Sequence, residues 1–87
     1  MYQITYARSI QKDLDKVPNA DAEKIRQAVK ALAHNPMPYG YKKLSGGSGL
    51  YRIKEGDYRI VYGFSSSEKK IFITRIRHRK ESYRYLN

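Results

Sequence analysis

From Leu50 onward the chain is written for a β-sheet. Leu50–Lys54, Asp57–Phe64 and Lys70–Arg77 are each rich in Tyr, Ile, Val, Phe and Thr, residues that pack well on a pleated, half-buried surface. Glu55-Gly56 reads as a two-residue hairpin loop and Ser65–Lys69 as a longer connection, so the three strands are expected to run antiparallel. Such a meander has one apolar face, which another layer must cover.

The cover is legible upstream. Ile10, Leu14 and Val17 recur at helical spacing through Ser9–Val17, with Ser9 as the expected N-cap and Pro18 as the stop. A second helix follows, in which Ala22, Ile25, Ala28, Val29, Leu32 and Ala33 share one face while Glu23, Lys24, Arg26, Gln27 and Lys30 fall elsewhere. Asn19 or Asp21 is placed to cap it, and Pro36 ends it by disfavouring helical geometry at Asn35. Before both helices, Tyr2, Ile4 and Tyr6 alternate with Gln3 and Thr5 as a first strand does.

Residues 36–49 hold Pro36, Pro38, Gly40, Gly46, Gly47 and Gly49 and are expected to form a loop. Its Lys42-Lys43 pair and Tyr39/Tyr41 suit either nucleic-acid contact or an ordinary solvated crossover. At the other end, 79–86 reads as a last helical turn or an extended tail. The predicted fold is α+β, in the order β-α-α-β-β-β. Two N-terminal helices lie on an antiparallel sheet of about four strands, with a short C-terminal helix or tail. A chain of 87 residues buries only about 60–65% of its unfolded surface, so residues 1–87 are expected to share one core as a single domain.

Composition removes several kinds of chemistry. No cysteine is present, which excludes disulfides, thiolate metal sites and a cysteine nucleophile. The two histidines, His34 and His78, have no close carboxylate set, so neither a metal nor another cofactor is expected. His34 sits at a helix C-terminus, where a cation is favourable, and reads as structural. No long apolar stretch opens the chain, so neither a signal peptide nor a membrane span is expected, and the cytoplasm is the default location.

Charge points to a partner. Eighteen Lys and Arg against eight Asp and Glu give a net charge of +10, a field that attracts polyanions. Residues 1–49 contribute +4 and residues 50–87 contribute +6, so the bias is densest in the sheet-forming half. A membrane surface suits it less well, because the better helix carries Ala, Ile, Val and Leu on its apolar face rather than the Trp or Phe of an interfacial helix.

With Glu55-Gly56 as the loop, Lys54 pairs with Asp57, Ile53 with Tyr58, Arg52 with Arg59 and Tyr51 with Ile60. Tyr51, Ile53, Tyr58, Ile60, Tyr62 and Phe64 then face the helices, while Arg52, Lys54, Asp57, Arg59 and Val61 point away. Arg52 directly opposite Arg59, with Lys54 beside them, repels and is a poor choice for stability alone. A phosphate relieves it, since arginine offers paired donors and lysine a point charge. Downstream, Arg75, Arg77, His78, Lys80 and Arg84 interleave with Tyr83 and Tyr85, a mixture that suits single-stranded RNA. Metal-free cleavage of RNA is feasible on such a surface, because the ribose 2′-hydroxyl can attack its own neighbouring phosphate. The protein need supply only a base, an acid and cationic support. Lys54, crowded by cations that lower its pKa, fits the base.

The run Leu50-Tyr51-Arg52-Ile53-Lys54-Glu55-Gly56-Asp57-Tyr58-Arg59-Ile60-Val61-Tyr62, followed by Ile76-Arg77-His78-Arg79-Lys80-Glu81-Ser82-Tyr83-Arg84, resembles the RelE/ParE superfamily of toxin–antitoxin toxins. The order of elements is similar too. The resemblance implies a RelE-like domain that cleaves messenger RNA in the ribosomal A site, inhibits translation and is neutralised by a cognate antitoxin in a hetero-oligomer. By position it makes Lys54 the general base, Arg59 the phosphate-stabilising arginine, Arg79 the arginine near the leaving group and Tyr83 the tyrosine that stacks on or orients the substrate.

Two departures qualify the match. Arg52 stands where well-studied members of the family have lysine. Residues 36–49 hold no carboxylate to pair with His78 as the glutamate–histidine relatives require. Two other functions remain consistent with the residues. One is a ParE-like inhibitor of DNA gyrase, against which the joint presence of Lys54, Arg59, Arg79 and Tyr83 counts. The other is a non-catalytic RNA-binding module.

Overall fold

The apolar spacing of the N-terminal half does produce two helices, and the C-terminal half produces the sheet they cover. A computed structural model describes residues 1–46 and 48–81. Its elements run β1 (Gln3–Tyr6), α1 (Ile10–Asp15), α2 (Asn19–Leu32), β2 (Lys42–Lys43), β3 (Tyr51–Glu55), β4 (Tyr58–Ser65) and β5 (Lys70–His78), and residues 79–81 begin a helical turn. Among the described residues no helix is long and apolar enough to cross a membrane.

Five strands form one sheet in the order β1-β5-β4-β3-β2. The sheet is mixed rather than wholly antiparallel, because β1 lies parallel to β5, with Ile4 beside Ile71 and Tyr6 beside Ile73. The fifth strand is the two-residue β2, which pairs Lys42 with Arg52 and Lys43 with Tyr51 inside the segment expected to be loop. Ile10, Ile25, Val29 and Leu32 from the helical layer meet Ile53, Ile60, Tyr62, Ile71, Ile73 and Ile76 from one face of the sheet. Burying each aliphatic side chain among them contributes roughly 1.5–3 kcal/mol, which fixes the face that turns toward the helices.

Neither helix is capped as its sequence suggests. Ser9 has helical dihedrals and no side-chain cap bond. Its hydroxyl donates instead to the Thr74 carbonyl at 3.4 Å. Asn19 is the first residue of α2, preceded by Pro18 with φ −55° and ψ 145°, and no side chain caps this end. The hydroxyl of Ser9 is claimed by the edge of β5, which β1 leaves open after Ile73. α1 closes that edge. Ala7 N–H donates to Ile73 C=O at 2.9 Å, and the buried Asp13 carboxylate accepts the Ile76 N–H at 2.9 Å.

The same stretch of β5 carries a bulge. Val61 faces Arg75 and Tyr62 faces Ile73, so Thr74 has no partner across the ladder. Its hydroxyl donates to the Val61 carbonyl at 3.2 Å. One extra residue reverses the alternation of side chains, which lets Ile71, Ile73 and Ile76 all reach the core although their spacing changes from two to three.

The hairpin register also differs from the expected one. Glu55 pairs with Tyr58, Lys54 with Arg59, Ile53 with Ile60, Arg52 with Val61 and Tyr51 with Tyr62. The loop residues are therefore Gly56 and Asp57. Gly56 has φ +60°, and Asp57 is not among the residues of positive φ, the pattern of a type II′ turn with glycine first. A Glu55-Gly56 loop of type I′ would force the left-handed conformation on Glu55 as well, which glycine alone adopts without strain. The shift moves the pairing by two residues in total, so each side chain keeps its face.

Candidate functional site

Strand alternation turns Lys54, Arg59 and Arg77 away from the helices. The observed register sets them in one row, Lys54 opposite Arg59 and Arg59 opposite Arg77. The adjacent row runs Lys42, Arg52, Val61, Arg75. Three strands and the short β2 thus gather six cations on one sheet face. Lys42 was ambiguous in the sequence, and its pairing with Arg52 is what places it here.

Acids neutralise only the rim. Arg75 Nε lies 3.6 Å from Asp13 Oδ2, too far for a hydrogen bond, and among the described residues this buried atom has no other partner. Arg77 pairs with Glu81 at 3.4 Å. Arg79 lies 3.9 Å from Asp57, and its backbone N–H donates to the Asp57 carbonyl at 2.6 Å. Among the described residues, no ion pair reaches Arg52, Lys54 or Arg59. Among the described residues Arg59 donates to the carbonyl of Tyr58 at 3.4 Å, and Arg52 Nη1 is buried with no hydrogen-bond partner there.

The uncompensated charge perturbs its members. Arg59 is the chief cause that holds the Lys54 ammonium below the usual lysine range, with Arg52, partial desolvation and Lys42 adding to it. Burial, then Arg59, lowers Arg52. A lysine so placed gives up its proton more readily, and neighbouring guanidiniums supply donors to an anionic group held between them.

Of the residues singled out in the sequence, Arg52, Lys54, Arg59 and Arg77 come together, and Arg75 joins them at the edge beside Asp13. Arg79 and Lys80 continue from the end of β5, both exposed. His78 does not join them. It pairs with Tyr58 across the ladder, on the face opposite Arg77, and their rings meet edge to face at 5.3 Å. Its Nδ1 accepts the Lys80 N–H at 3.2 Å. Tyr83 and Arg84 lie outside the described residues. Asp13 and Glu81 were missed, since nothing local marks a carboxylate that closes a sheet edge or balances a strand arginine one turn later. The one available signal was the three-residue step from Ile73 to Ile76, which betrays the bulge.

The sequence profile of the "ParE toxin of type II toxin-antitoxin system, parDE" matches residues 4–83. The chain belongs to the RelE/ParE superfamily of toxins. Toxin RelE3 of Methanocaldococcus jannaschii is 30% identical to this toxin over 87 residues, spanning 95% of this chain and 97% of its own. Toxin RelE of Mycobacterium tuberculosis is 29% identical over 84 residues, spanning 95% and 87%. In three dimensions the toxin resembles a chain of the archaeal RelE–RelB complex from Pyrococcus horikoshii, with a TM-score of 0.78, 28% identity, and coverage of 90% of this chain and 94% of that one. The protein is a toxin of a toxin–antitoxin module in the RelE family.

Proposed function

We propose that the toxin is an endoribonuclease that cuts messenger RNA, in the ribosomal A site, by making the ribose 2′-hydroxyl attack the adjacent phosphate. One observation carries this: the Lys54–Arg59 pair and Arg52 form a cationic centre that no acid among the described residues neutralises, and within it the Lys54 proton is loosened. Lys54 in its neutral form takes the proton of the 2′-hydroxyl. The 2′-oxygen bonds to phosphorus, the bond to the 5′-oxygen breaks, and that oxygen takes a proton from water, yielding a cyclic phosphate and a 5′-hydroxyl end. Arg59 and Arg52 offset the charge that builds on the phosphate oxygens. Arg79 serves the leaving oxygen and Tyr83 the orientation of the substrate, as the family resemblance implies. Arg75, Arg77, Lys80 and Arg84 hold the flanking backbone, and His78, on the other face, plays no part in proton transfer.

The physiological partners in this reading are messenger RNA, the ribosome and a cognate antitoxin, all in the cytoplasm. The resemblance to the RelE of a RelE–RelB complex supports the last. The test is a ribosome-containing assay with a translated message. Wild-type toxin cuts it, and Arg59→Ala and Arg79→Ala leave it whole while keeping their folded spectra. An uncut message with wild-type protein overturns the proposal. A second reading, a gyrase inhibitor, is favoured by the ParE family profile. It predicts blocked supercoiling with messages intact, so the same purified protein decides between them.

A further inference from the structure

The segment between α2 and β2 holds one aromatic ring out in water. Asn35 Oδ1 accepts the Met37 N–H at 3.0 Å, and the Tyr41 N–H donates to the Pro38 carbonyl at 3.0 Å. The second bond closes a turn with Tyr39 and Gly40 at its centre. Gly40 has φ +88°, as the second central residue of a type II turn requires. Both ends of the segment are fixed. The Tyr62 hydroxyl donates to the Pro36 carbonyl, and the Tyr41 ring lies 5.7 Å from that of Tyr51. At the tip Tyr39 is fully exposed.

Under this turn lies a cavity of about 370 Å³ between the C-terminal half of α2 and the end of β3, a size within the range of small-ligand sites. Ala28, Ala31, Leu32 and Ile53 give it apolar walls, Tyr39 and Glu55 line it too, and so does Lys54. The cavity is open at this edge because β2 pairs with β3 only at Tyr51 and Arg52. Lys54 therefore belongs both to the cavity and to the cationic face.

We propose that this cavity takes an unpaired nucleobase of the RNA strand whose phosphate lies at Lys54, with the base stacked on Tyr39. The inference rests on the RNA-binding reading above. A nucleotide is a flat ring one sugar away from an anion, and the site repeats that layout, with a flat ring and alanine walls next to a cation. Glu55 is an acceptor at the same place, which suits the exocyclic amino group of a base. It repels an acidic peptide, the other partner that a +10 surface attracts.

The test is binding of a short single-stranded RNA carrying 2′-O-methyl groups throughout, which cannot be cleaved, read by fluorescence anisotropy. Tyr39→Ala is expected to weaken binding about five- to 150-fold, the range for loss of one base–aromatic stack. Tyr39→Phe keeps the affinity, and Tyr39→Leu loses it despite being apolar. In a scan of abasic nucleotides along the strand, one position weakens the wild type as much as Tyr39→Ala does and adds nothing to that variant. Wild-type affinity in Tyr39→Ala, or additive losses at every abasic position, overturns the assignment. Loss of antitoxin binding with RNA binding intact overturns it too and makes the turn a protein contact. A wild-type protein that binds no RNA removes this site, while the ribosome-containing cleavage assay decides the ribonuclease reading separately. RNA binding that depends on Arg59 but not on Tyr39 removes this site alone.

Discussion

Lys54 stands directly opposite Arg59 on the β3–β4 ladder, and among the described residues neither has a carboxylate partner. Like charges opposed across a strand pair work against the fold. Removing one should therefore leave stability unchanged or raise it while destroying function. Arg59→Ala is predicted to melt at the same temperature as wild type or slightly higher and to lose cleavage by a hundredfold or more, on the order seen when one transition-state donor is deleted. Thermal melts by circular dichroism beside a cleavage assay check both halves, and a lower melting temperature would show that the pair is structural.

The lowered pKa of Lys54 sets the pH dependence. A general base works deprotonated, so single-turnover cleavage is predicted to rise with pH and level off below 10.5, the ordinary lysine value. Arg52 is the second cause of that lowering, so the residual rate of Arg52→Gln should have its rise displaced to higher pH. Lys54→Arg keeps the charge but not a removable proton, and it should lose both the rate and the rise. A profile that is flat in wild type removes Lys54 from the proton transfer.

Legibility followed the range of the interaction that decided each feature. Ala22, Ile25, Val29 and Leu32 declare α2, and the Tyr/Ile/Val runs declare β3 to β5, because the periodicity is written within a few residues. The cationic face survived an incorrect register, since Arg52, Lys54 and Arg59 keep their side of the sheet under a shift of two. The parallel placement of β1 on β5 was not legible, for it depends on pairing Gln3 with Lys70 across most of the chain. Ser9 reads as a cap in the sequence because its competitor, the Thr74 carbonyl, is 65 residues away. His78 reads as a phosphate contact in the sequence because the bulge at Thr74, which sends it to the helix side, leaves only a faint mark in the spacing of isoleucines.

Asp13 is the buried acid on which that bulged edge depends. Its carboxylate accepts the Ile76 N–H and lies beside Arg75. Asp13→Ala strands a buried donor and is predicted to cost about 1–3 kcal/mol. Asp13→Asn keeps an acceptor at the same place and should cost less. Urea unfolding of the two variants separates them, and equal losses would mean that the charge rather than the hydrogen bond holds the edge.

Tyr62 ties the sheet to the end of α2. It is fully buried, and its hydroxyl donates to the Pro36 carbonyl. Burial above all raises its pKa, with smaller contributions from Tyr41 and Tyr51. A group whose folded pKa lies above its unfolded value contributes stability that is complete below the unfolded value and is lost as pH rises through the folded one. The fold should therefore weaken as pH climbs past 10.0, the ordinary tyrosine value. Lys54 acts with the opposite sign, because its lowered pKa adds stability as pH rises toward 10.5. Comparison with Tyr62→Phe in the same background cancels the lysine contribution. At neutral pH this variant is predicted to be about 1–3 kcal/mol less stable, since the buried Pro36 carbonyl loses its donor. Above pH 10 its stability should fall less steeply than that of wild type, so the two denaturation curves converge. Parallel decline of the two proteins with pH would show that the folded chain does not hold the Tyr62 hydroxyl above its unfolded value.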